Sequence, residues 1–272
     1  MSNDKSILIC GIGETASAVA RRLFVDGYAV CLYRATAPLL LRRRMSFADA
    51  WHDGYALLEG IEARRADVNA EFQLGLRTRA FIPLLRGRYT DSLERWPWDV
   101  IVAAHEDREP ASLTSPDDAE LTIGLGPSFR PGVECDFAID TDGPDPGAIY
   151  RKGTLPQRRA RETGSDGQHV HAPVSGLFRA EVSIGAAVQA GATLGFIGDT
   201  PVLSPISGRL LGIARREQAV VEGAPVAEIA HAHSTQVSGV SPANQLVARG
   251  VSFAIEMELE GFEPFSFEDW FN

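Results

Sequence analysis

The first half of the chain alternates short apolar runs with segments whose apolar residues recur at helical spacing. Ser6–Cys10 is a short, mostly apolar run, typical of a strand buried on both faces of a parallel sheet. Five apolar residues at helical spacing follow and stop before Gly27, namely Ala16, Val19, Ala20, Leu23 and Phe24. The pattern predicts a strand and a helix joined by a tight turn.

The same alternation continues to about residue 125. Four further strands are predicted, at Tyr28–Tyr33, Phe81–Leu84, Val100–Ala104 and Leu121–Gly124. A helix is predicted from Phe47 to Leu58, with Ser46 as its N-cap. The alternation favours a Rossmann-like, doubly wound parallel sheet, in which ligands bind outside the carboxyl ends of the strands.

The turn after the first strand has the pattern G-x-G-x-x-A. Small residues at Gly11, Gly13 and Ala16 permit a tight turn and let a phosphate approach the N-terminus of the helix. Glu14 adds a carboxylate that would repel a phosphate unless it is paired or turned away. The next strand ends in Arg34 where NAD-binding proteins carry an acidic residue. Arg34 therefore either meets a 2′-phosphate or is a solvated residue at the end of the strand.

Two further segments are candidates for the same crevice. Arg42 and Arg43 precede Ser46, and arginine binds phosphate or carboxylate through paired donors. The alternative is that these arginines form a solvated turn. Gly124 and Gly126 form a Gly-x-Gly loop after a strand, and such a loop offers backbone N–H groups to a ligand.

The second half carries an internal repeat between residues 169 and 233. Ala172–Gly176 recurs as Ser204–Gly208, an offset of 32 residues (205 minus 173) between their prolines. Two such units, rich in short apolar segments and glycine turns, predict one pseudo-two-fold β unit. The pattern resembles biotinyl/lipoyl-type barrel-sandwich hybrid domains, whose carriers present a modified lysine on a hairpin. The matching hairpin, Gly198–Val202, has no lysine, so we expect a docking scaffold without attached biotin or lipoate.

Two histidine pairs flank the repeat. His169 and His171, like His231 and His233, are two residues apart, so each pair lies on one face of a strand. If the first and last strands of the module are neighbours, the four imidazoles could hold zinc, nickel or copper. The alternative is that these are solvated residues at strand ends.

Composition and charge narrow the function classes. With 272 residues the chain is about twice a typical domain length of roughly 150. Its net charge of -10 argues against binding nucleic acid through phosphates. The three cysteines lie far apart, no apolar run reaches the roughly 18 residues of a membrane helix, and the start does not resemble a signal peptide. We therefore expect a soluble, cytoplasmic protein.

The expected division of the chain is as follows. Residues 1–156 form the Rossmann-like nucleotide-binding-type domain, and 157–167 form a charged linker. Residues 168–234 form the barrel-sandwich hybrid domain, and 235–272 form a C-terminal helix and an acidic-aromatic tail.

Several strings together resemble one bacterial family. They are Gly11-x-Gly13-Glu-x-Ala16-Ser17, Arg42-Arg43 with Ser46–Ala50 and Gly54, Gly124-Leu-Gly126-Pro-x-Phe129, Ala172-Pro173 and Ser204–Gly208. The family is the accessory protein of the selenium-dependent molybdenum hydroxylase system, related to the xanthine dehydrogenase accessory proteins. The chain departs from the family pattern at Glu14, at Arg34, at Glu106–Arg108 and at Asp142-Gly-Pro.

The resemblance implies a non-catalytic maturation protein whose partner is a molybdenum hydroxylase or related apoenzyme. It implies a molybdenum-pterin dinucleotide or similar nucleotide-like ligand bound near the glycine turn, whereas the residues alone leave NAD(P) open as the cofactor. Two alternatives remain open from the residues, an NAD(P)-dependent oxidoreductase and a non-catalytic docking subunit of a larger complex.

Overall fold

The computed structural model describes residues 4–104, 114–155, 167–231, 235–259 and 261. Its first half contains nine strands and four helices. In chain order they are β1 (Ser6–Cys10), α1 (Glu14–Val25), β2 (Ala29–Tyr33), α2 (Ala48–Asp53), β3 (Tyr55–Leu58), β4 (Ile61–Arg65), α3 (Asn69–Thr78), β5 (Ile82–Leu85), α4 (Tyr89–Glu94), β6 (Val100–Ala104), β7 (Leu121–Leu125), β8 (Phe137–Ile139) and β9 (Ile149–Tyr150).

These strands form one sheet in the order β3-β4-β5-β2-β1-β6-β7-β8-β9. The seven inner strands are parallel, whereas the edge strands β3 and β9 pair antiparallel. Helices cover both faces, because Ile7 and Ile9 of β1 enter one apolar core and Leu8 and Cys10 enter another. Strand β1 lies between β2 and β6, so the strand order runs outward from β1 in both directions. The topological switch point of the sheet is therefore at β1.

The helix predicted from Phe47 to Leu58 is wrong over its second half. The observed α2 ends at Asp53, and Gly54 follows it with a positive φ of 90°. In β3 the side chains then alternate, with Tyr55 and Leu57 exposed and Ala56 and Leu58 buried. This period of two is the signature of a half-buried strand, and the sequence interpretation missed it.

The second half contains eight short strands. They are β10 (Gly167–His171), β11 (Gly176–Ala180), β12 (Ala187–Val188), β13 (Thr193–Ile197), β14 (Thr200–Leu203), β15 (Gly208–Ile213), β16 (Gln218–Val220) and β17 (Pro225–Ala230). They form two four-stranded antiparallel sheets, β10-β17-β15-β12 and β14-β13-β11-β16, around a common apolar core. The 32-residue repeat is visible in this topology, since the offset carries each strand of one sheet onto a strand of the other.

The C-terminal helix α5 (Pro242–Leu259) confirms the helix predicted after Ser241. It packs along α1, with the two N-termini at the same end: Thr15 Oγ1 donates to Asn244 Oδ1 at 3.0 Å, and Ser252 Oγ donates to Asp26 Oδ2 at 2.9 Å. The helix therefore belongs to the layer that covers the large sheet. Among the described residues, no helix combines the length and apolar character needed to cross a membrane.

The expected fold class needs correction. The large sheet is mixed instead of parallel, because a hairpin adds β3 at one edge and β9 folds back at the other. No biotinyl/lipoyl-type barrel-sandwich hybrid is shown. The second half is two antiparallel sheets, and the β13–β14 turn at Gly198 and Asp199 carries no lysine to modify.

Candidate ligand-binding site

The glycine turn between β1 and α1 lies at the carboxyl edge of the large sheet. Gly11 has a φ of 143°, and a Cβ added there would lie 3.0 Å from the Ala104 Cβ and 3.1 Å from the Ala16 Cβ. Gly13 is the N-cap of α1, with extended backbone and no side-chain cap. The turn thus needs small residues for its packing, and the first-turn N–H groups of α1 are not capped by the Gly13 position.

The structure brings the ends of several strands to this edge. Cys10 is in register with Tyr33 of β2 and Ala103 of β6, and the Gly11 N–H donates to the Tyr33 carbonyl at 2.9 Å. Arg34 and Gly126 directly follow β2 and β7 at the same edge, and Gly126 has a φ of 98°. The predicted residues Gly11, Gly13, Glu14, Ala16, Arg34 and Gly126 therefore share one end of the sheet.

Arg34 is only 3% exposed. Its Nε donates to the Thr36 carbonyl at 3.3 Å, and its own carbonyl accepts from Trp51 Nε1 at 3.3 Å. The solvated strand-end alternative for Arg34 is therefore wrong.

Arg42 forms an ion pair with the second half of the chain. Its Nε and Nη2 donate to the two carboxylate oxygens of Glu228 on β17 at 2.7 and 2.5 Å, and the Glu228 side chain is 6% exposed. The paired donors fit the planar carboxylate of Glu228. Glu228 was missed from the sequence, because nothing near it along the chain indicates a partner 186 residues away.

Glu14 lies within the field of this ion pair. Burial raises the pKa of the Glu14 carboxyl, the Arg42 cation opposes that rise, and the Glu228 carboxylate adds to it. The carboxylate that the sequence places beside the glycine turn is therefore coupled to the Arg42–Glu228 pair.

The second predicted arginine also joins the two halves. Arg43 Nη1 contacts both Asp49 carboxylate oxygens at 3.1 and 3.0 Å, and Arg43 Nε donates to the Ile213 carbonyl at 3.3 Å. Arg215 from the second half pairs with Asp49 and also with Asp53. The arginine run is thus neither a solvated turn nor, in this arrangement, an open anion cradle.

Two predicted residues have packing roles in the described structure. A Cβ added at Gly124 would lie 2.2 Å from the Phe129 ring, so this glycine makes room for an aromatic side chain. Ser46 accepts a hydrogen bond from the Ala48 N–H at 3.3 Å, but the N-cap of α2 is Phe47. The predicted capping position was one residue early.

The histidine site stays a prediction. His169 and His171 lie on β10 with ring centroids 6.4 Å apart, and His233 lies outside the described residues. The antiparallel register pairs His169 with Glu228 and Gly167 with Ala230, which places His231 roughly 10 Å along the ladder from His169. Within the described ranges, no three His, Cys, Asp or Glu side chains come together as a metal site.

Comparison with known proteins gives one curated relative. The chain is 29% identical over 263 residues to uncharacterized protein YqeB of Escherichia coli strain K12, covering 94% of this chain. The match spans 48% of the length of YqeB, so this chain corresponds to about half of that relative. No family model matches the chain.

Solved structures that match are more distant. They include a succinylglutamate desuccinylase/aspartoacylase from Rhodobacter sphaeroides and an aspartoacylase family protein from Mesorhizobium loti, each 14% identical with a TM-score of 0.27. The matches cover 84% and 85% of this chain and 86% of each of those chains. At this level of likeness, no activity transfers from them to this chain.

These findings overturn the family expected from the sequence strings. No family model matches the chain, the curated relative is described as uncharacterized, and the structures named above are described as desuccinylase/aspartoacylase proteins, so none of these comparisons names a molybdenum hydroxylase system. The predicted accessory family is therefore wrong, as are its maturation role and the molybdenum hydroxylase apoenzyme as partner. The two alternative functions, an oxidoreductase and a docking subunit, are not carried further. The expected cofactor, molybdenum-pterin dinucleotide or NAD(P), is untouched by these findings and stays a prediction.

Proposed function

We propose that the glycine turn at the carboxyl edge of the large sheet binds the phosphate groups of a dinucleotide of the NAD(P) class. The observation that carries the proposal is the position of this turn at the topological switch point, where open α/β sheets bind ligands. Gly13 leaves the N-terminus of α1 without a side-chain cap. Backbone N–H groups and the positive end of the helix dipole then face an incoming phosphate.

Arg34 gives the proposed site its preference. It follows β2 where a dinucleotide-binding sheet contacts the adenosine ribose, and it is a buried cation instead of a carboxylate. A guanidinium at this position favours a 2′-phosphate, so the site is proposed to prefer NADPH to NADH. Glu14 limits affinity to the extent that it is ionised.

Isothermal titration of the full chain with NADPH and NADH tests the proposal. We expect saturable binding with NADPH favoured by about tenfold or more, as one lost charge-assisted contact implies. The variant Gly13→Asp adds a carboxylate at the N-cap of α1, where aspartate is a preferred residue, so it should retain the fold while it repels the phosphate. Gly13→Ser is the matched neutral control, since serine caps helices equally well without the charge.

Two results would reject the proposal. One is the absence of saturable binding to either dinucleotide by the folded wild-type chain. The other is equal binding by wild type and Gly13→Asp, because the ligand would then lie elsewhere. Arg34→Lys keeps the charge but loses the paired donors, so it should reduce the NADPH preference while leaving NADH binding unchanged.

We also propose a cytoplasmic location. Cys10, Cys31 and Cys135 are buried, and none of them forms a disulfide. Free thiols are typical of proteins in reducing compartments. Subcellular fractionation of the source cells tests this, and recovery from an oxidising compartment would overturn it.

A further inference from the structure

A groove between α1 and α5 carries an arginine cluster that the proposed dinucleotide site does not use. Its polar lining consists of Arg21 and Arg22 from α1 and Gln245 and Arg249 from α5. The volume is about 220 Å³, smaller than the roughly 300 Å³ at which pockets for drug-sized ligands begin. The groove therefore suits a small group and not a whole dinucleotide.

The charges around the groove are unbalanced. Arg21 Nη2 lies 3.1 Å from Glu59 Oε2, and Arg22 Nε lies 2.7 Å from Asp26 Oδ2. Both carboxylates also accept a hydrogen bond from another donor. Glu59 Oε1 accepts from the Val240 N–H at 2.9 Å, and Asp26 Oδ2 accepts from Ser252 Oγ at 2.9 Å. With Arg249, three cations face two carboxylates that are already shared.

The side chains of Arg21 and Arg249 each have N–H donors that no described residue accepts from. The Arg21 Nε is buried and has no hydrogen-bond partner among the described residues, although the same guanidinium holds Glu59 through Nη2. The exposed side chain of Arg249 makes no hydrogen bond or ion pair within the described part of the chain. A buried N–H without a partner is costly, so it indicates a group that the protein alone does not supply.

We infer that this groove binds a phosphate group carried by a small molecule, between Arg21 and Arg249. Guanidinium donors match phosphate oxygens in geometry and charge, and a phosphate would offset the excess positive charge. The bound phosphate would join α5 to α1 about 10 Å along the helix from Glu14, since seven residues separate Glu14 from Arg21. The site is thus separate from the glycine turn and goes beyond the proposed function.

Nitrogen-15 NMR of the arginine side chains, with inorganic phosphate as the probe, tests the inference directly. The experiment uses the 272-residue Gly13→Asp chain, so that phosphate at the glycine turn does not contribute. We expect the Arg21 and Arg249 Nε–Hε resonances to shift saturably with a single dissociation constant. Arg249→Gln should weaken this binding about tenfold, the fold-change expected for losing one charge-assisted hydrogen bond.

The matched control is Arg77→Gln. Arg77 is likewise an exposed helical arginine whose side chain has no partner among the described residues, but it lies on α3, away from the groove. Its substitution removes the same net charge and should leave phosphate binding unchanged. The inference is overturned if the two resonances do not shift, if they shift without saturating, or if Arg77→Gln weakens binding as much as Arg249→Gln. None of these outcomes depends on whether wild type binds NADPH.

Discussion

The two proposed anion sites differ in how their arginines are used. At the carboxyl edge of the sheet, Arg42 pairs with Glu228, and Arg43 pairs with Asp49 and donates to the Ile213 carbonyl. The cations that the sequence offers to a ligand therefore contact the second half of the chain. In the groove between α1 and α5, Arg21 keeps a buried donor without a partner, and no sequence motif marks it. A sequence motif therefore locates a backbone turn well, but the ion pairs seen in the structure decide which arginine side chains are available to bind a ligand.

The largest expected effect comes from breaking the pair between Arg42 and Glu228. Arg42→Ala leaves a carboxylate that is 6% exposed without its guanidinium, and losing one partner of a buried pair costs about 3–5 kcal/mol. Arg42 itself is 23% exposed, so we expect about 3 kcal/mol in the free energy of unfolding, measured by urea titration.

Two controls accompany this variant. Arg64→Ala removes an exposed partner of Glu62 and should leave the free energy of unfolding close to that of wild type, because a surface ion pair is screened by solvent. The double variant Arg42→Leu with Glu228→Leu should recover most of the loss, because no charge is then left buried. A small effect of Arg42→Ala would mean that the pair does not join the two halves and that Arg42 is available to a ligand.

A smaller effect separates packing from binding at the Gly-x-Gly loop. In Gly124→Ala the new methyl group would meet the Phe129 ring at 2.2 Å, and overpacking of this kind costs about 1–3 kcal/mol. Thermal unfolding should show the loss, and NADPH affinity of the folded variant should stay close to wild type. A variant of normal stability with weakened NADPH binding would instead place Gly124 in the ligand site.

The sequence was informative where its signals are local. The run Ser6–Cys10 and the glycine pattern predicted β1, the turn and α1, because buried parallel strands and tight turns leave marks within a few residues. The 32-residue repeat predicted the internal symmetry of the second half. The helix Phe47–Leu58 failed after Asp53, since alternating Tyr55–Leu58 was read with the wrong period.

Long-range charge pairing could not be predicted in the same way. Arg42 and Glu228 are 186 residues apart, and Arg215 finds Asp49 across 166 residues. No spacing rule connects such positions, so the arginine run looked equally suited to a ligand or to solvent. The unsatisfied Arg21 Nε depends on how α5 covers α1, which again only the fold reveals.

The smallest predicted effect tests whether Glu14 opposes an anion at the turn. Burial raises the pKa of the Glu14 carboxyl above its ordinary value of 4.5, so the folded chain holds this proton more tightly than the unfolded chain. The unfolding free energy should therefore fall as pH rises from about 4.5 through the raised pKa, and the loss is complete above it. Glu14→Gln has no proton to release, so its stability should lack this fall.

The measurement is the difference in unfolding free energy between wild type and Glu14→Gln, followed by urea titration from pH 4 to pH 8. Parallel curves would show that Glu14 titrates normally and is turned to solvent, away from the Arg42–Glu228 pair. At pH 7 the same substitution removes whatever carboxylate charge remains beside Gly13, so NADPH should bind more tightly to Glu14→Gln than to wild type. If the stability difference follows the predicted sign while NADPH affinity is unchanged, Glu14 is buried against the second half of the chain and does not face the turn, and the phosphate must approach α1 from the side of Ala104.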